Sequence, residues 1–258
     1  MKTAQHTATE KKPAEKKGEV VIHIKGLKKF FGEKEVLRNI NLDLHKGENV
    51  VVLGRSGSGK SVTIQCIVGK LYPDDGELTV FGEDVASLTE RQLREMRTRI
   101  GFLFQGAALY DSMTLRENME FPLTRVLKLK DQAEIDHRVE EMLDNVGLLD
   151  AIDKMPSDLS GGMRKRAGLA RTLIVKPEIM LYDEPTTGLD PATSREISKL
   201  IMDMQKKYKT TSLIITHDME CARITADRVV IMHEGEYIAE GTFDELKNHH
   251  DDQVCSFF

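Results

Sequence analysis

The run Gly54-Arg55-Ser56-Gly57-Ser58-Gly59-Lys60-Ser61 follows Asn49-Val50-Val51-Val52-Leu53 without interruption, and this junction constrains the fold more than any other feature. The apolar run reads as a short strand buried on both faces, as in a parallel sheet. The loop fits G-x-x-x-x-G-K-[ST] and opens into a helical pattern, so strand, loop and helix stand in the order a phosphate-binding loop requires. Glycines let backbone N–H groups converge into a concave nest, and the following helix N-terminus adds partial positive charge. Lys60 is expected to reach the β- and γ-phosphates of a nucleotide, the Ser61 hydroxyl to ligate Mg2+, and Val62 to complete the contact set with Gly54, Arg55, Ser56, Gly57, Ser58 and Gly59.

Similar strand signals recur at 179–182, 212–215 and 228–232, separated by helical stretches, which predicts a layered α/β core. Before the loop, alternating runs at 20–31 and 36–44 flank a Gly-Glu-Lys turn and predict an antiparallel sheet. One crossover helix is marked by Ile197, Leu200, Ile201, Met204 and Tyr208, with Lys206, Lys207 and Lys209 at its end. From about 107 to 173 the β/α alternation gives way to helical patterning, as an insertion would. Its clearest helix starts at Asp131 as N-cap, buries Ile135, Val139, Met142, Leu143 and Val146, and stops at Gly147. The expected organisation is a flexible tail at 1–19, a folded unit at 20–248 carrying that insertion, and a C-terminal tail at 249–258.

The net charge of −5 provides no basic field for nucleic acid, and no nucleic-acid partner is expected. No apolar run approaches the ~20 residues that a spanning helix needs, so a membrane role would come through a partner. Cys66, Cys221 and Cys255 lack ligand spacing and read as ordinary thiols. His249-His250-Asp251-Asp252 reads as neighbouring polar side chains on the surface of a terminus rather than a metal site.

Two further strands end in polar groups. The strand at 179–182 delivers Asp183 and Glu184, an expensive ending for an apolar strand unless it is used. Asp183 is placed to hold Mg2+, and Glu184 to act on an attacking water. The strand at 212–215 delivers His217, placed to sense a γ-phosphate at the carboxyl edge of the sheet. Gln105 follows another short strand, 100–104, and its amide oxygen can coordinate metal or water.

Taken in order, these elements resemble the nucleotide-binding subunit of ABC transporters over nearly the whole chain after the tail. The resemblance identifies Gly54 to Ser61 as the Walker A loop, Gln105 as the Q-loop residue, Asp183 and Glu184 as the Walker B pair, Gly188-Leu189-Asp190 as the D-loop and His217 as the switch histidine. Leu159-Ser160-Gly161-Gly162-Met163 resembles the family signature, with Met163 where glutamine is usual. Phe31 matches the aromatic that stacks on adenine. The resemblance implies a P-loop NTPase (RecA-like) core with an N-terminal antiparallel β-subdomain and an inserted α-helical subdomain. It also implies hydrolysis of Mg-ATP in a homodimer, where Ser160, Gly161, Gly162 and Met163 of one copy complete the site of the other.

Residues 101–114 and 160–166 look like the Mla-type phospholipid-trafficking subgroup, also described for toluene tolerance. That subgroup implies integral membrane permease subunits, an MCE-type substrate-binding partner and a location on the inner face of the cell membrane. Arg164, Lys165 and Arg166 are expected to form a solvated helix face. The competing class is a soluble ABC-type ATPase with a non-transport role, in DNA repair or on the ribosome. Against it, Gln105 and Ser160 lie within one compact insert without sustained heptads.

Overall fold

The computed structural model describes residues 18–258. The tail expected at 1–19 thus lies outside the described residues except for Gly18 and Glu19. Those two are tied to the following hairpin, since Lys46 N donates to Glu19 O at 2.8 Å and His45 Nδ1 to Gly18 O at 2.9 Å.

The chain opens with β1 (Val20–Phe31) and β2 (Lys34–His45), then β3 (Asn49–Gly54), α1 (Lys60–Ile67), β4 (Asp75–Val80), β5 (Glu83–Asp84), α2 (Glu90–Thr98) and β6 (Ile100–Leu103). The insertion supplies α3 (Leu115–Arg125), α4 (Gln132–Asn145) and α5 (Gly161–Leu173). The core resumes with β7 (Ile179–Asp183), α6 (Pro191–Tyr208), β8 (Thr211–Thr216), α7 (Met219–Thr225), β9 (Arg228–His233) and β10 (Glu236–Gly241). Two short helices, α8 (Phe243–Lys247) and α9 (Asp252–Cys255), follow.

The strands form a four-stranded antiparallel sheet in the order β2-β1-β4-β5 and a six-stranded sheet in the order β10-β9-β3-β8-β7-β6. In the larger sheet β9, β3, β8, β7 and β6 run parallel, and β10 closes the edge antiparallel to β9. The continuous apolar runs are explained by this placement. Successive side chains of a strand point to opposite faces, so Val51, Leu53, Met180, Tyr182 and Ile214 enter the core shared with the insertion. Val50, Val52, Ile179, Leu181, Leu213 and Ile215 enter the core between the two sheets. Arg228 helps join the sheets: it donates to the Asp43 carbonyl and pairs with Glu48 at 2.7 Å and Glu240 at 2.8 Å.

Within the insertion, Asp131 caps α4 by accepting from Ala133 N, and Gly147 leaves the helix at φ 63°. Ile135, Val139, Met142, Leu143 and Val146 are all buried. The α3 end is held by a buried amide that composition alone does not mark. Asn118 accepts from Tyr110 N at 2.8 Å and donates to the carbonyls of Tyr110, Met113 and Thr114.

In the fold, two departures from the sequence reading concern charged or terminal residues. In place of a solvated face at 164–166, Arg164 is exposed but donates to Leu159 O, Arg166 donates to the carbonyls of Val146 and Gly147, and Lys165 is only 7% exposed. Loop carbonyls beside α5 need donors, and long basic side chains reach them. At the C-terminus, 249–258 is folded rather than a tail: Val254 is buried, Phe257 packs against the larger core, and its ring lies 5.7 Å from the Arg55 guanidinium. Burial of these apolar side chains offsets the entropy of ordering them. Among the described residues no helix is long and apolar enough to cross a membrane.

Replacing Asn118 by Ala is expected to cost about 2–3 kcal/mol in urea unfolding, because buried backbone groups lose their partners. A change below about 0.5 kcal/mol would show that this amide holds nothing together.

Candidate functional site

The parallel register aligns the carboxyl ends of three neighbouring strands, with Leu53 beside Thr216 and Asp183 beside Ile215. At that edge lies a cleft of about 550 Å³ lined by Val36, Arg55, Ser56, Gly57, Gly59, Lys60, Ser61, Val62, Gln105, Asp183, Glu184, Thr187 and His217. Ligands of open α/β sheets bind at such carboxyl edges.

The loop is shaped by its glycines and by its lysine. Gly59 sits at φ 109°, and a Cβ there would stand 2.8 Å from side-chain atoms of both Leu37 and Met232, so only glycine fits this turn. Lys60 opens α1 and is 6% exposed. Its Nζ donates to Gly54 O at 2.7 Å and Arg55 O at 3.1 Å and stands 3.7 Å from Glu184 Oε1. Burial lowers the Lys60 pKa, opposed by the nearby carboxylates of Glu184 and Asp183. The nearby Ser58 Oγ is buried without a hydrogen-bond partner among the described residues.

Glu184 occupies the middle of the site. Its φ of 50° is left-handed, uncommon for a non-glycine residue and a form of strain that gathers at functional positions. Its Oε2 accepts from Thr187 Oγ1 at 3.2 Å, Thr216 Oγ1 at 3.3 Å and His217 N at 3.3 Å, and lies 2.8 Å from His217 Nδ1. With Oε2 so occupied, Oε1 is the oxygen with capacity to accept from a water.

Asp183 Oδ1 accepts from Ser61 Oγ at 3.3 Å. Burial pushes the Asp183 carboxyl above its usual range, reinforced by Glu184 and opposed by the Ser61 hydrogen bond, Lys60 and Lys165. Ser61, Asp183 and the Gln105 amide offer hard oxygen donors in one cleft, the set that suits Mg2+. The glycine-lined loop with a buried lysine suits phosphate oxygens. The residues present therefore fit Mg-ATP.

Several expected residues lie elsewhere. Gly54 and Ser58 shape the loop without lining the cleft, and Phe31 is exposed at the end of β1, outside the lining, while Val36 on the same hairpin is part of it. Ser160, Gly161, Gly162, Met163 and Asp190 line no part of the cleft. They form a second group: Ser160 Oγ accepts from Met163 N at 3.2 Å, Asp190 caps α6 through Ala192 N and Thr193 N, and Gly161 and Gly162 lie against Leu189 and Thr193. Thr187, Thr216 and Val36 were missed. Thr216 directly precedes the histidine and Thr187 lies three residues after the acid, and that proximity is the available signal.

The family model described as ABC transporter matches residues 37–187, more than half of the chain. A probable ribonucleotide transport ATP-binding protein, mkl, of Mycobacterium leprae is 41% identical over 88% of this chain and 65% of its own length. A methionine import ATP-binding protein, MetN, of Rhizobium johnstonii is 38% identical over 91% of this chain and 64% of its own. The chain thus spans less than two thirds of these curated relatives. Among solved structures, cbiO1 of the Clostridium perfringens ABC transporter complex cbiONQ superposes with a TM-score of 0.81 at 30% identity, covering 88% of this chain and 90% of that one. A dimeric ATP-binding cassette bound to ADP and Pi after hydrolysis gives a TM-score of 0.76 at 32% identity, covering 86% and 98%.

Lys60→Met is expected to weaken Mg-ATP binding at least about thirtyfold, as loss of charged hydrogen bonds worth ~2 kcal/mol would. Calorimetric titration of the folded variant measures it; wild-type affinity would remove Lys60 from the phosphate site.

Proposed function

The chain belongs to the ABC transporter ATP-binding family, and from that premise we propose that it hydrolyses Mg-ATP as a dimer and drives a membrane permease. The observation that carries this reading is the Glu184 carboxylate, fixed through Oε2 by Thr187, Thr216 and His217 and facing Lys60 through Oε1. Oε1 orients the attacking water and receives its proton. Lys60 and the loop backbone hold the β- and γ-phosphates. Ser61, Asp183 and Gln105 would hold Mg2+, which when bound would supply positive charge against that developing on the phosphates. His217 links the γ-phosphate end of the cleft to Glu184. Phe31, exposed on the hairpin that supplies Val36, is the surface assigned to adenine.

The separation of Ser160, Gly161, Gly162 and Met163 from the chain's own cleft supports a two-fold dimer, in which these residues cap the nucleotide of the partner copy. Asp190 lies in the turn beside them and would border the same interface. The start of α5 provides backbone N–H donors and the Ser160 hydroxyl, so Met163 removes a side-chain donor without emptying the site.

The permease partner would place the chain peripherally on the inner membrane face. For the cargo we favour a phospholipid or related hydrophobic molecule, with an MCE-type substrate-binding partner, on the sequence of 101–114 and 160–166. Two curated relatives are named for ribonucleotide transport and methionine import. A cassette that does not touch cargo can serve different permeases, so those names do not decide the substrate here.

Glu184→Gln keeps shape and removes the base. It is expected to accumulate an ATP-bound dimer in size-exclusion chromatography while turnover falls at least ~100-fold, within the range of general-base loss. Wild-type turnover would displace Glu184 from this role. Affinity purification from membranes is expected to recover a permease; recovery without any membrane protein would favour the soluble alternative.

A further inference from the structure

Beyond the Ser160 turn, α5 has a face that meets the segment after β6 residue by residue. Positions 165, 168 and 171 follow at i,i+3 spacing and so share one side of the helix. Lys165 Nζ donates to the Gln105 carbonyl. Gly168 abuts Ala107, where an added Cβ would lie 2.7 Å from the Ala107 carbonyl oxygen. Arg171 Nη1 donates to Ala108 O at 2.6 Å, and its guanidinium lies 4.4 Å from the Tyr110 ring centre. Ala107 and Ala108 both hold left-handed φ values, 63° and 50°, which L-residues rarely adopt without constraint.

Lys165 differs from the other contacts in being a buried charge. Among the described residues the Gln105 carbonyl is the acceptor its ammonium bonds, and Asp183 and Glu184 are near enough to favour its charged form against burial, which disfavours it. An apolar side chain would fill the same space without desolvating an ammonium. The expense is accounted for if the charge has a task at the cleft.

We propose that Lys165 is a positioning residue, its ammonium tying the Gln105 backbone to α5 and so fixing Gln105 at the cleft. Its catalytic consequence rests on the functional reading above; its effect on the segment does not.

Lys165→Met keeps the length and removes the donor, and Lys165→Arg keeps a donor. Hydrogen exchange of residues 104–110 in the nucleotide-free protein reads the tether directly, and kcat and KM for Mg-ATP read its consequence. Lys165→Met is expected to speed that exchange at least tenfold and lower kcat at least tenfold, with KM within threefold of wild type, and Lys165→Arg to restore both. Faster exchange upholds the tether even in a chain that hydrolyses no ATP. Wild-type exchange in a folded Lys165→Met, or a Lys165→Arg no better than it, overturns the proposal. Should Lys165→Met not fold, Lys165→Gln carries the same expectation and the same refutation.

Discussion

Parallel pairing of β3, β8 and β7 is the constraint from which the site follows. The pairing brings the phosphate loop, Thr216 with His217, and Asp183 with Glu184 to one edge. None of these groups is close in sequence to the other two, and no single strand could assemble them. The register is held by apolar faces on both sides of the sheet, so a slip by one residue would exchange the two cores as well as misplace the acids.

At that edge two buried lysines stand near two half-buried acids, and Lys60 lies 3.7 Å from Glu184 Oε1. Lys60 and Lys165 face Asp183 and Glu184, and each lysine is drawn toward its charged form by acids that burial alone would make costly. Oxygen donors beside Ser61 suit a metal, and a glycine loop beside Lys60 suits phosphate. The cleft is lined mostly by polar and charged side chains, with Val36 and Val62 its apolar members. Strain at Glu184, Ala107 and Ala108 lies next to the same cleft; Glu184 N donates to Ile215 O of β8, and Arg171 of α5 donates to Ala108 O.

Much of this was legible in the sequence because its causes are local. Glycines and a lysine at fixed spacing demand a loop, strands buried on both faces demand apolar runs, and Asp131 and Gly147 demand helix ends. What was not legible depended on tertiary direction. Lys165 reads as one of three surface cations, and only the packing of α5 against 105–110 turns it inward. Phe257 reads as part of a polar terminus until its ring is found beside Arg55. Phe31 and Val36 share a hairpin, yet only Val36 lines the cleft, which the alternation along the strands does not reveal.

Ser160 to Met163 line no part of their own chain's cleft, and the central claim proposed from this is that the nucleotide held by one copy is capped by Ser160 to Met163 of another. A photoreactive ATP analogue modified at the γ-phosphate tests this when a Lys60→Met chain, distinguished by isotope, is mixed with the wild type. Labelling of the peptide containing Ser160 in the Lys60→Met chain, present in the mixture and absent in that chain alone, is the expected result. Labelling confined to the signature peptide of the chain that itself binds the analogue would contradict the composite site.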